Sequence, residues 1–299
     1  MSMGYSVEMM ALFADLGERG QLDDVKRVVD LGSQEIHFAQ RDGSSGSFKE
    51  SIRRAVRAFG GPSISDEQLD KLSNRSSAAD FFSLASKEYK ALDADGWYGP
   101  PFDFNLDTVI DEDRNAYCLT VNAGTTEHLI DQENVFRVMH DLTRTGGLML
   151  HGVPFLGGID HGFFNYNPNF FSALAKFNAY EVLGLWVCPV GTFMLMPWSD
   201  SMVKHLKAAT DPEYYVLLYC LLRKTNDVAF CVPFQGGYEF QQHPENLSRY
   251  SYNVDGRLVS GTYAVQLTAK QGFLKNVSGK SLLTEVFRRV RRRVTGKGD

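Results

Sequence analysis

The chain has 299 residues, of which 43% are hydrophobic and 22% charged. This length and balance fit one large α/β domain with additions, and they exclude a disordered or a collagen-like chain. The 36 acidic residues outnumber the 31 basic ones, for a formal net charge of -5. No overall basic field favours a nucleic acid as the partner, so none is expected.

The cysteines and the apolar runs indicate the compartment. Four cysteines lie far apart in mostly apolar surroundings, without C-x-x-C spacing: Cys118, Cys188, Cys220 and Cys231. We expect buried thiols in a reducing compartment, and no metal site. No secretory signal is readable, and no apolar run reaches the roughly 18–20 residues of a membrane helix. The chain is therefore expected to be cytoplasmic, without a transmembrane segment.

Hydrophobic spacing predicts the elements in chain order. Helices are predicted over residues 5–19, 131–145 and 168–178, the second ending at the glycine pair Gly146-Gly147. Strands are predicted over residues 25–32, 89–93, 102–106, 117–122, 148–154, 180–187, 192–197, 214–222 and 228–233. The first part has the βαβ rhythm of a parallel sheet, and the second suggests antiparallel strands that complete it.

Composition divides the chain into a main domain and an extension. Residues 1–236 are predicted to form one α/β domain, and polar helical stretches mark residues 43–88 as a helical insertion. This insertion follows the first strand, so we expect it to form a lid over the site. Residues 237–299 form a C-terminal extension that ends in a basic amphipathic helix, Ser281–Val294. We favour packing of its apolar stripe on the domain or on a second subunit, as a homodimer, over docking on an anionic membrane surface.

Acids and a glycine follow two of the predicted strands. The run Val29-Asp30-Leu31-Gly32 ends a strand in an acid and then a glycine, which lets a ligand approach the backbone closely. Asp93 ends a later strand, where a carboxylate can accept hydrogen bonds from ribose hydroxyls. Ordinary strand-to-turn junctions also have these residues, and that alternative stays open.

The most specific segment runs from Thr120 to His151 as a strand, a polar Thr-Thr-Glu-His turn, a helix, a glycine pair and a strand. It resembles the segment from the fourth to the fifth strand of class I S-adenosylmethionine-dependent methyltransferases. In that family a Glu-His-Leu turn precedes a helix that ends in Pro-Gly-Gly, and Thr145 stands here in place of the proline. Asp30-Leu31-Gly32 matches part of the family's first motif, with Ser33-Gln34-Glu35 at its later glycines.

The resemblance covers residues 25–42 and 89–235, and it implies a Rossmann-like doubly wound sheet of seven strands. That sheet would be mainly parallel, with an antiparallel end strand and the helical insertion. The implied cofactor is S-adenosyl-L-methionine. The implied cofactor-binding residues are Asp30, Gly32, Ser33, Gln34, Asp93, Asp103, Asn105, Asn122, Gly124, Thr125 and His128.

A glycine-bracketed loop after the fifth strand of the implied fold carries the candidate catalytic residues. It contains His161 as the candidate general base, with Asp160 and Tyr166 as neighbours that orient an acceptor. Alternatively, its aromatic residues pin the loop to the sheet while Asp160 and Asn167 cap turns. His128 is a second candidate, whereas His151 lies within an apolar strand and is expected in the core.

These features favour methyl transfer to a small-molecule acceptor, a sugar or other metabolite with a hydroxyl or amine, by in-line displacement. A methyltransferase-like binding or scaffold protein with a degenerate cofactor site is the alternative. A dinucleotide oxidoreductase is disfavoured because no G-x-G-x-x-G motif follows any predicted strand.

Overall fold

The computed structural model describes residues 4–36, 45–97, 99–190, 194–199, 202, 206 and 215–233. Its helices are α1 (Val7–Glu18), α2 (Ser45–Ala58), α3 (Asp66–Ser73), α4 (Ala78–Leu84), α5 (Gln132–Leu142) and α6 (Pro168–Phe177). Its strands are β1 (Arg27–Leu31), β2 (Glu88–Leu92), β3 (Tyr117–Ala123), β4 (Thr143–Leu156), β5 (Tyr180–Pro189), β6 (Met196–Pro197) and β7 (Val216–Lys224). A short 3₁₀ turn, Thr126–His128, separates β3 from α5.

The strands form one mixed sheet in the order β2-β1-β3-β4-β7-β5-β6. The pairs β1–β2, β1–β3 and β3–β4 are parallel, whereas β7 runs antiparallel to both β4 and β5. The two-residue end strand β6 is antiparallel to β5. The predicted fold class is confirmed: five strands point in one direction, and the antiparallel strands lie towards one end. The carboxyl ends of β1 to β4 therefore meet at one edge of the sheet.

Alternate residues of the strands face opposite helical layers. Val28 of β1 packs in the cluster that contains α1, α2 and α4, whereas Val29 packs with α5 and α6 on the other face. Burial on both faces explains why the central strands are apolar runs without alternation. Residues 45–58 and 78–84 of the predicted insertion thus belong to the layer on one face of the sheet. Closure of residues 43–88 over the site as a lid stays a prediction.

Two predicted strands are wrong. Residues 102–106 form turns, because the Asp103 carboxylate accepts the Asn105 backbone N–H at 2.8 Å and bends the chain locally. Residues 228–233 join no strand, because side chains satisfy their backbone. The Val228 carbonyl oxygen lies 2.8 Å from a ring nitrogen of His140, and the Cys231 N–H donates to Asn178 Oδ1 at 2.7 Å.

The helix predicted over residues 131–145 is shorter than expected. It ends at Leu142, and the glycine pair lies inside β4 instead of capping the helix. The Thr143 hydroxyl donates to the Met139 carbonyl at 2.7 Å, and Thr143 itself is extended. A Cβ on Gly147 would lie 3.0 Å from the Tyr117 carbonyl oxygen, so the glycine permits close approach of β3 and β4.

Several predictions fall wholly or partly outside the described residues. They include the helix Ser281–Val294, the extension 237–299 and part of the strand predicted over 192–197. Within the described ranges, every helix is too short or too polar to cross a bilayer. The cysteines carry free thiols, with Cys118, Cys188 and Cys220 buried as expected and Cys231 partly exposed.

An aromatic cluster joins α1, α2 and α4, and it generates a stability prediction. Phe13 is fully buried, and its ring contacts Phe59, Phe81 and Phe82. Phe13→Ala should lower the free energy of unfolding by about 3–5 kcal/mol, because it removes a buried ring and leaves a cavity. Phe163→Ala is the matched control, since Phe163 is exposed, and should change it by less than about 0.5 kcal/mol. Equal effects of the two substitutions in urea denaturation would contradict this packing.

Candidate active site

The end of β1 is closed by two side chains. Thr125 Oγ1 donates to the Leu31 carbonyl oxygen at 2.6 Å, and Gln34 Nε2 donates to the same oxygen at 3.0 Å. Gly32 has a φ of 79°, and a Cβ on it would lie 2.7 Å from Thr125 Oγ1. Glycine is therefore required here by the backbone conformation and by the close approach of Thr125.

Asp93 lies beside this turn, as the sequence predicts. Its Oδ2 accepts the Ser33 backbone N–H at 2.6 Å, which joins the carboxyl end of β2 to that of β1. Asp93 is half-buried, and its Oδ1 has no hydrogen-bond partner among the described residues. Ser33 Oγ is buried and also lacks a partner within the described part of the chain. The turn thus presents one carboxylate oxygen, Asp93 Oδ1, that a ligand could engage.

Asp103 and Asn105 lie in the loop between β2 and β3. Asp103 Oδ1 accepts hydrogen bonds from the backbone and the side chain of Asn105. Asn105 Oδ1 in turn accepts the backbone N–H groups of Ile130 and Asp131 at 3.0 Å each. These two predicted cofactor residues therefore fasten the loop to the start of α5, at the same edge of the sheet.

Asn122 organises the turn after β3. Its Oδ1 accepts the N–H groups of Thr125 and Thr126, and its Nδ2 donates to Thr126 Oγ1 at 2.9 Å. Asn122 is fully buried, so it supports the turn from inside the protein and not as a surface residue. Gly124 and Thr125 follow it in the chain, at the edge of the sheet. His151 lies in the core as expected, where burial lowers its pKa to about 3 and keeps the imidazole neutral.

The candidate base His161 pairs with an acid that the sequence analysis does not single out. His161 Nε2 lies 3.3 Å from Oε1 of Glu127, whose side chain is fully buried. The carboxylate can only accept, so the imidazole donates from Nε2 and keeps the lone pair on Nδ1. The His128 ring meets the His161 ring edge-on at 5.0 Å, so both candidate histidines belong to one cluster.

The loop that carries His161 is held against Glu127 by the backbone. The Phe163 N–H donates to the Glu127 carbonyl oxygen at 2.7 Å. Gly162 has a φ of 66°, and a Cβ there would lie 2.9 Å from Glu127 Cγ. The glycine thus permits the contact that brings His161 to the acid.

Asp160 and Tyr166 are placed differently from His161. Asp160 is exposed, and its carboxylate makes no hydrogen bond within the described ranges. Tyr166 is buried, and its hydroxyl donates to Gln132 Oε1 at 2.6 Å. Asn167 caps α6 by accepting the Asn169 N–H at 3.0 Å, as the alternative for this loop predicts. Neither Asp160 nor Tyr166 forms a hydrogen bond with His161 in the described part of the chain, and the partner of His161 is Glu127.

Asp30 points away from the turn at the edge. Its two carboxylate oxygens accept hydrogen bonds from Tyr5 at 2.6 Å and Tyr89 at 2.7 Å, and it is fully buried. Burial raises the pKa of Asp30 to about 7, although the two hydrogen bonds partly oppose this. For direct contact with a ligand at the edge, Asp30 would have to lose its hydrogen bond with Tyr5 or with Tyr89.

Glu127 is the functional candidate that the sequence pattern does not identify. Glu127 stands in the Thr-Thr-Glu-His turn, so its position beside His128 was the sequence feature that could have identified it.

A cavity of about 550 Å³ lies elsewhere, at the opposite edge of the sheet, lined by Gly17, Arg54, Arg57 and Lys87 among others. It is remote from the carboxyl ends of the strands, where the cluster described above lies.

No protein-family model matches this chain, and no curated protein is significantly similar to it. Solved structures are similar in fold. The 1,6-didemethyltoxoflavin-N1-methyltransferase of Burkholderia thailandensis, with bound S-adenosylhomocysteine, shares 12% identity over 73% of this chain and 80% of its own, with a TM-score of 0.38. The [4+2]-cyclase SpnF shares 13% identity over 72% of this chain and 81% of its own, with a TM-score of 0.37. The O-methyltransferase of a Brevibacillus brevis polyketide multienzyme shares 9% identity over 74% of this chain and 73% of its own, with a TM-score of 0.33. At these identities and TM-scores, the likeness assigns no activity, cofactor or substrate to this chain.

The buried Asp30 generates a prediction about pH. Its pKa is 3.8 when exposed and about 7 in the fold, so between these values the folded state holds a proton that the unfolded state has lost. Its contribution to the free energy of unfolding should fall by up to about 1.4 kcal/mol per pH unit as the pH rises from about 4 to 7. Asp30→Asn cannot titrate, so the stability difference between wild type and variant should change over this window. A constant difference in urea denaturation from pH 4 to 7 would contradict the prediction.

Proposed function

We propose that this chain transfers a methyl group from S-adenosylmethionine to a hydroxyl or amine of a small molecule. The observation that carries the proposal is the contact of Asp93 with the Ser33 N–H at 2.6 Å, beside the positive-φ Gly32. In doubly wound sheets, a nucleotide lies across the carboxyl ends of the strands, with its ribose at an acid that follows the second strand. The resemblance in the Thr120–His151 segment favours this cofactor over a dinucleotide.

The residues at this turn fit the ribose of such a cofactor. Asp93 Oδ1 lacks a hydrogen-bond partner among the described residues, so it is available to a ribose hydroxyl. Asn105 and His128 lie at the same edge as further candidates for the adenine and the methionine part. When bound, S-adenosylmethionine supplies a methyl group on a sulfonium that is already a good leaving group.

The acceptor side of the proposal rests on the Glu127–His161 pair. A buried carboxylate orients the imidazole through Nε2, which leaves Nδ1 to take the proton of an acceptor hydroxyl or amine. The His161 side chain is 10% exposed, so little of it is in contact with water. The net charge of -5 supports a small acceptor over a nucleic acid. The buried free thiols suit a reducing compartment such as the cytoplasm.

A binding or scaffold protein with the same fold is the second candidate. The observation that favours it is the closure of the β1 end by Gln34 and Thr125, because Gln34 lies in the segment where the resembled family has glycines. Glycines there let a ligand approach the backbone, and two packed side chains leave less space for it. Direct measurement of cofactor binding separates the two candidates.

Asp93→Asn tests the cofactor site. Asparagine can still accept the Ser33 N–H but lacks the charge, so binding of S-adenosylmethionine should weaken about 10- to 100-fold, because hydrogen bonds to charged groups contribute about 1.5–3 kcal/mol. Asp95→Asn is the matched control, since Asp95 is exposed two residues later, and should bind as wild type does. Calorimetry with S-adenosylmethionine and S-adenosylhomocysteine checks this. Absence of binding to the wild-type chain would favour the scaffold protein.

His161→Ala tests the acceptor side. Loss of the proposed base should lower turnover by about 10²–10⁴-fold, while the affinity for S-adenosylmethionine stays near the wild-type value. Glu127→Gln should lower turnover less, because an amide oxygen can still accept from Nε2. The measurement is methyl transfer from labelled cofactor to a panel of small hydroxyl and amine compounds. Undiminished turnover in His161→Ala would remove this residue from the proposal.

A further inference from the structure

Three side chains with metal-ligand atoms converge where β3 and β4 end. Potential ligand atoms of Glu127, His128 and His161 all lie within 4.8 Å of one another. They come from two segments, the 3₁₀ turn after β3 and the loop after β4, so their sequence spacing does not reveal them. Two imidazoles and one carboxylate form a donor set that suits divalent transition metals such as Zn²⁺, Co²⁺ and Fe²⁺.

The charge of Glu127 is not balanced by a permanent cation. Among the described residues its only ion-pair partner is His161, which is charged only when protonated. Glu127 Oε2 is buried and has no hydrogen-bond partner within the described part of the chain. A buried carboxylate oxygen without a partner costs free energy.

The distances are close to those of a bound cation. Zinc lies about 2.0–2.2 Å from nitrogen and carboxylate ligands, so neighbouring ligands of a tetrahedral site are about 3.4 Å apart. The 3.3 Å between His161 Nε2 and Glu127 Oε1 already matches this separation. The ligand atom of His128 lies within 4.8 Å of the other two, and His128 is exposed, so its ring has room to adjust to a shared cation.

We propose that Glu127, His128 and His161 bind one divalent transition-metal cation. Three protein ligands leave at least one coordination position for an external oxygen or nitrogen, as in metal sites that act on a substrate. The cation site stands without methyl transfer, whereas a role for the acceptor hydroxyl as the external ligand rests on the proposed function. If His161 binds the cation through Nε2, the cation takes the place of the proton donated to Glu127, and His161 is then a ligand and not the base. A hydroxyl bound to the cation would lose its proton more readily, so the cation would replace His161 as the means of activating the acceptor.

Cobalt binding to the full chain, freed of metal by a chelator, tests this site. One Co²⁺ per chain should bind, with the visible absorption of a four- or five-coordinate centre, and Zn²⁺ should displace it. Glu127→Gln and His161→Ala should each weaken binding by at least about 10-fold, by analogy with the 10–100-fold losses seen even for groups that only support metal ligands. Glu133→Gln is the matched control, since Glu133 is an exposed acid in α5, and should bind as wild type does.

Two results would overturn the cation site: a wild-type chain without stoichiometric Co²⁺ binding, or Glu127→Gln binding Co²⁺ as tightly as wild type. Circular dichroism and cofactor calorimetry on the same preparations identify a variant that fails to fold. Stoichiometric Co²⁺ binding without cofactor binding would support the site and contradict methyl transfer. Cofactor binding without Co²⁺ binding would contradict the cation site alone.

Discussion

The buried carboxylate of Glu127 is the constraint on which the candidate site depends. Its backbone oxygen accepts the N–H groups of Phe163 and Phe164, and its side chain accepts from His161. Removal of a carboxylate from water is unfavourable unless its oxygens are engaged. The loop after β4 must therefore lie against the turn after β3, and Gly162 is the residue that permits this approach. His161 engages only Oε1 of Glu127, whereas Oε2 stays without a partner among the described residues.

A second set of contacts ties the cofactor side of the edge together. The Leu31 carbonyl oxygen, at the end of β1, accepts from both Gln34 and Thr125, and the Asp93 carboxylate accepts from Ser33. These bonds join the ends of β1, β2 and β3 without any ligand. Gln34, which stands among the residues at the later glycines of the resembled family, thus stabilises the edge while it narrows the space for a ligand. This is why cofactor affinity decides between the two candidate functions.

Much of the fold was predictable from sequence because burial on both faces makes the central strands apolar and the βαβ spacing indicates parallel pairing. Residues 102–106 were assigned wrongly because the local turn made by the Asp103 side chain was not considered. Residues 228–233 could not be assigned correctly, since the Cys231 N–H is satisfied by Asn178, which is 53 positions away. The sequence predicts at which edge of the sheet the site lies, but not all of the side chains that form it. The motif drew attention to Asp30, yet its tyrosine partners turn it into the core. The Glu127–His161 contact joins residues 34 positions apart, and only the folded chain brings them together.

The 3₁₀ turn after β3 links the two sides of the site. In a 3₁₀ helix there are three residues per turn, so successive side chains point about 120° apart. Accordingly Thr125 contacts the end of β1, Thr126 bonds to Asn122 beneath the turn, and Glu127 faces the loop after β4. Three consecutive residues therefore serve the cofactor side, the support beneath the turn and the acceptor side. An insertion or deletion of one residue here would rotate all of these groups together, so this turn tolerates substitution better than a change of length.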